Sequence, residues 1–201
     1  MMNRISNKFI LFLCENNIIE RDKQELYTYA LEIFLSSVLH FLTTIVMGIV
    51  CGMFAESVLL IVVFSLVRRF AGGFHASTPL KCYFFSIAAN IIMLFLISVV
   101  TKWGNDMVFY VILIISDLTI WFASPIESQN KPLSYKEKKV YKAVSIALSS
   151  VITALAVMVY EFVAVNYGVS LCFGLTLVAI VLYTSLLHDL LSKIKHTEAS
   201  K

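Results

Sequence analysis

Long apolar runs separated by short polar connections dominate this chain. Residues 27–67 are apolar for some forty positions, with one break near Cys51-Gly52. A single crossing of a hydrocarbon core of roughly 30 Å needs about 20 apolar residues, so the run predicts two spans, 27–50 and 53–67, joined by a tight turn. The second is short and contains Glu56, with Arg68 and Arg69 placed to snorkel at its end. Further runs at 83–101, 107–126, 143–165 and 168–191 are each near crossing length. Ahead of them Ile5, Phe9, Phe12 and Leu13 recur at helical spacing opposite Arg4, Asn7, Lys8 and Glu15, the pattern of an amphipathic helix lying in the interface over 2–20. The apolar stretch 9–14 within it is too short for a signal peptide and lacks a small-residue cleavage site. The expected architecture is an all-α, polytopic integral membrane protein. It has a single membrane domain over 1–201 with six transmembrane helices and both termini cytoplasmic.

Composition supports the lipid environment. Apolar residues make up 59% of the 201 positions and charged residues 14%, and the mean hydropathy is +0.85; a soluble domain is nearer 45–50% apolar and about 25% charged. The placement of lysine and arginine matters more than the net charge of +3, because cytoplasmic loops retain basic residues. Fifteen of the sixteen fall in the N-terminal segment, the second and fourth connections and the C-terminal tail, and only Lys102 lies opposite. An even number of spans satisfies every connection. Nucleic acid is therefore not an expected partner; the lipid bilayer is. Cys14, Cys51, Cys82 and Cys172 form no CxxC pair, which argues against a zinc site or a disulfide framework. No metal or other cofactor is expected.

The second cytoplasmic connection, 68–82, is the segment richest in residues that can carry chemistry. It reads Arg68-Arg69-Phe70-Ala71-Gly72-Gly73-Phe74-His75-Ala76-Ser77-Thr78-Pro79-Leu80-Lys81-Cys82. Gly72-Gly73 permits positive φ and close backbone approach, while Thr78-Pro79 reads as an N-cap followed by proline at the first helical position. Cys82 then falls in a first helical turn, where free N–H groups and the positive dipole end favour a thiolate. His75 and Cys82 are seven residues apart, about 10 Å along a continuous helix, so a dyad requires the connection to bend. Spacing alone leaves open that the histidine is incidental and the arginines are topological anchors. For Cys14, Cys51 and Cys172 the reading is of small apolar residues in helices or at interfaces.

The run from Arg68 through Gly72-Gly73 and His75 to Cys82 resembles the signature of the accessory gene regulator B (AgrB) family, membrane-embedded cysteine endopeptidases of Gram-positive quorum sensing. Pro125-Ile126-Glu127 followed by Asn130-Lys131-Pro132-Leu133 is similar to the family's next loop. The resemblance implies that Cys82 is the nucleophile and His75 its general base and acid. Arg68, Gly72, Gly73, Thr78 and Pro79 would support them. The implied substrate is a propeptide of the AgrD type, cleaved in its C-terminal part at the cytoplasmic side of a multi-pass cell-membrane protein. A thiol of the substrate attacking the acyl-enzyme thioester would close a thiolactone ring.

Between the fourth and fifth spans, Ser134 and Glu137 form a capping-box pattern that would start a helix. Polar groups inside spans are costly and invite explanation: Glu32, Glu56, Asp117 and Glu161, with His40. Asp117, nearest a span centre, could orient His75, line a substrate path or pair with a neighbouring helix. Asn90 is expected to bond between helices. A small exporter or channel without covalent catalysis is the rival class, although no paired halves with matching interrupted helices are visible. A homodimer is compatible with the lipid-phase surfaces.

Overall fold

The computed structural model describes residues 2–16, 18–73, 79–103, 106–127 and 134–199, of which 2–5, 79–82, 189 and 191–199 are described as backbone alone. Among these the regular structure is helical: α1 (Met2–Glu15), a 3-10 turn (Arg21–Lys23), α2 (Gln24–Val50), α3 (Phe54–Ala71), α4 (Pro79–Trp103), α5 (Asp106–Ala123), α6 (Tyr135–Phe162) and α7 (Val165–Ala199).

α1 ends at Glu15 rather than at 20 and lies against α2. Ser6, Ile10 and Cys14 are buried there while Phe9 and Phe12 stay exposed, so the helix offers one face to the protein and an apolar one outward. The break at Cys51-Gly52 is a helix–turn–helix corner. Gly52 has φ 68°, its N–H donates to Ile49 O at 3.1 Å and the Met53 N–H donates to Gly48 O at 2.7 Å. This is a Schellman end, which consumes the last carbonyls of α2 and reverses the chain.

Among the described residues five segments are long and apolar enough to cross a membrane: Arg21–Val50, Tyr83–Trp103, Asp106–Ala123, Tyr135–Phe162 and Val165–His188. α3, at the place of the second expected span, is not one of them. It has 18 residues and carries Glu56, Arg68 and Arg69. It tolerates this composition because it is wedged among α2, α6 and α7, with Leu60, Val67 and Ala71 fully covered, so much of its surface meets protein instead of lipid.

α7 is the axis of the bundle, packed by α3, α4, α5 and α6. In its most apolar 18-residue stretch 67% of the residues are buried, against 11–28% in the corresponding stretches of the other four. Small residues let neighbours close in on it: a side chain at Gly174 would meet Val63 Cβ at 2.7 Å, and one at Gly168 would meet Tyr160 Cβ at 2.5 Å. Association of helices in lipid depends on such close packing because apolar surface alone gains little there.

Two helix ends shape the connections that matter for the site. α5 stops at Ala123, three residues before the expected end of the fourth span, because Pro125 lacks an N–H and restricts the residue before it. α6 starts at Tyr135 behind the expected capping box, with Ser134 Oγ accepting from the Glu137 N–H at 3.3 Å and Glu137 Oε2 accepting from the Ser134 N–H at 2.8 Å. Its first two turns carry Lys136, Lys138, Lys139 and Lys142 ahead of the apolar run.

Candidate active site where two connections meet

The two segments singled out in the sequence meet in space. Gly72, after α3, forms a parallel bridge with Ile126, after α5, and the Ile126 N–H donates to Ala71 O at 3.0 Å. Gly72 has φ 75° and Gly73 φ 118°. A Cβ on Gly72 would stand 2.1 Å from Ile126 O, and one on Gly73 would stand 2.8 Å from Val181 Cγ1 of α7. Gly-Gly is thus required twice, for left-handed φ and for approach to two neighbours. The exit of α3 is thereby pinned between the α5–α6 connection and α7.

Side chains reinforce this seam. Phe70 of α3 meets Tyr141 of α6 edge to face with ring centroids 5.8 Å apart. Lys138 of α6 pairs with Glu127 beyond α5 at 2.9 Å; within α3 itself the Arg68 guanidinium lies 5.2 Å from the Phe64 ring centroid, one turn back on the same helix.

Pro79 begins α4, as Thr78-Pro79 predicts, and Cys82 is the fourth residue of that helix, in the turn whose N–H groups lack intrahelical partners. His75 and Thr78 lie outside the described residues and Cys82 is described as backbone alone. The other cysteines are separate from this region in character: Cys14 and Cys172 are buried and Cys51 is exposed beyond α2.

The intramembrane polar groups divide into two kinds. Glu56 accepts from Asn166 Nδ2 at 2.6 Å and Glu161 from the Tyr110 hydroxyl at 2.5 Å; both are tied to neighbouring helices. Asp106, which carried no sequence signal of its own, likewise accepts from the Tyr160 hydroxyl at 2.5 Å. By contrast Asp117 Oδ1, Glu32 Oε1 and His40 Nδ1 are buried atoms without a hydrogen-bond partner among the described residues. Asp117 stands six residues before the end of α5, about 9 Å along the helix axis from that end. Asn90 makes the expected interhelical contact, to His40 and Thr44 of α2. The Gly72–Ile126 pairing was invisible in the sequence, since a bridge between residues this far apart leaves no local period; the Gly-Gly and Pro-Ile motifs were its only trace.

The family model for accessory gene regulator B matches residues 6–184. Two Clostridium perfringens proteins described as AgrB-like, one from strain 13 and one from strain SM101, are each 22% identical over 125 residues, which cover 60% of this chain and 58% of theirs. The chain therefore matches somewhat over half the length of these curated relatives. No solved structure matches it. The family match spans both connections and all the helices between them, and the chain belongs to the accessory gene regulator B family.

Proposed function

We propose that the protein is a membrane-embedded cysteine endopeptidase that processes an AgrD-type quorum-sensing propeptide at its cytoplasmic face. The observation that carries this reading is the seam between Gly72 and Ile126. It brings together the two motifs on which the family resemblance depends and positions the chain entering the His75–Cys82 connection. Fifteen of sixteen basic residues fall in the segments assigned to that side, which supports a cytoplasmic site and puts both termini there if α3 crosses with the other five.

In the proposed reaction His75 takes the proton of the Cys82 thiol. The thiolate attacks a propeptide carbonyl, and the tetrahedral intermediate collapses as the protonated imidazole gives its proton to the leaving amine. The C-terminal fragment departs and the N-terminal part remains as a thioester on Cys82. A substrate thiol, losing its proton to His75, then attacks that thioester and displaces the Cys82 sulfur, which recovers the proton; one thioester replaces another, so the ring closes near thermoneutrality when water is excluded. The first-turn N–H groups of α4 are the candidate oxyanion donors. Arg68, Gly72, Gly73, Thr78 and Pro79 shape the connection.

Intact-mass measurement after brief mixing with the propeptide tests this. The expected result is a protein shifted by the mass of the N-terminal fragment, with the label mapping to Cys82 and disappearing on addition of hydroxylamine. Processing without any such adduct would favour an exporter that relies on another peptidase.

A further inference from the structure

Asn90 is 2% exposed in the α2–α4 interface. Its Nδ2 lies 2.9 Å from Ser86 O, 3.2 Å from His40 Nε2 and 3.4 Å from Thr44 Oγ1. A backbone carbonyl only accepts, so the amide group beside it is the NH2 and not the oxygen. That NH2 has two protons to donate; with the two nearer acceptors, Ser86 O and His40 Nε2, taking them, Nε2 is the bare, accepting nitrogen of a neutral ring. The ring proton is then on Nδ1. Nδ1 is buried with no partner among the described residues, so α2 holds a hydrogen-bond donor that its own neighbours leave unused, an arrangement that costs stability and calls for an explanation.

The donor is close to the proposed chemistry. Tyr83, the residue after Cys82, has its hydroxyl 2.9 Å from Thr43 Oγ1, and Thr43 is one helical turn from His40 on α2. Along α4, Asn90 follows Cys82 by eight residues, about 12 Å, a span that an extended peptide covers in about three to four residues. A peptide laid from the α4 N-terminus along the α2–α4 seam offers backbone carbonyls at this spacing.

We propose that His40, held in its Nδ1–H tautomer by Asn90, is a propeptide-binding residue that donates to a backbone carbonyl about three to four residues from the scissile bond. This deepens the peptidase reading and depends on it for the identity of the guest.

The test uses the full-length chain in nanodiscs with a fluorescein-labelled AgrD-type propeptide from the same genome. Binding is measured in a Cys82→Ala background and steady-state processing with Cys82 intact. His40→Gln keeps an acceptor for Asn90 at the Nε2 position but has no donor at Nδ1. It is expected to weaken binding about tenfold, the loss of one hydrogen bond, and to raise KM by a similar factor with kcat little changed. His40→Asn places an N–H where Nδ1 was and should recover most of the affinity. In 15N-histidine spectra the His40 Nδ1 resonance should move on adding propeptide. Equal binding by the parent and His40→Gln, or equal loss in both variants with a lowered melting temperature, would overturn the proposal, as would a parent that does not bind the propeptide. Processing that persists in Cys82→Ala would instead remove the nucleophile assignment, and the binding comparison would still decide the role of His40.

Discussion

Two glycines with similar backbone angles differ in what surrounds them, and that difference separates structural tolerance from site requirement. Gly52 has φ 68° and open space for 4 Å around the position a Cβ would take, whereas Gly72 has φ 75° with Ile126 O only 2.1 Å from that position. Gly52→Ala should cost about 1 kcal/mol of conformational strain and leave processing intact. Gly72→Ala adds a collision to the strain, of order 1–3 kcal/mol, and should part the two connections; processing is expected to fall about 5- to 150-fold, that energy expressed as a rate. Thermal unfolding in detergent and propeptide turnover read the two effects. The need for glycine at Gly72-Gly73 was legible in the sequence because only that residue type relieves φ > 0. The neighbour imposing the second constraint was not, since Ile126 is an unremarkable apolar residue until the chain folds it against Ala71.

At the scale of elements, local chemistry forecast the ends of helices better than their lengths. The Ser134–Glu137 box and the Pro79 start are both present because capping is decided within four residues. Ser134→Ala should cost about 1 kcal/mol with little effect on turnover. α5 ended three residues early, ahead of Ser124-Pro125, where hydropathy continued but a proline could not. The contact between α3 and α7 is open to damage at a single glycine: Gly174→Leu would drive side-chain atoms into Val63, 2.7 Å from the first of them. Overpacking of that kind costs about 1–3 kcal/mol, and a lower melting temperature with reduced yield in the membrane fraction is the expected outcome. Hydropathy did not reveal α7 as the axis, because an apolar helix facing protein and one facing lipid have the same composition.

For the whole molecule, charge asymmetry and hydropathy speak to different things. The basic residues predict which face is cytoplasmic, while α3, short and charged, is not among the five segments long and apolar enough to cross. A single cysteine placed at Lys102 should react with an impermeant maleimide in intact cells, and one placed at Lys142 only after permeabilisation; the reverse pattern would invert the topology. Above all, the proposed chemistry rests on covalent catalysis by one sulfur atom at the start of α4. Co-expression of the chain with its AgrD-type propeptide, comparing the parent with Cys82→Ala at equal membrane abundance, addresses that atom directly. The parent should release the C-terminal fragment and the variant none; release at the parental rate without the Cys82 sulfur would contradict covalent catalysis at this position.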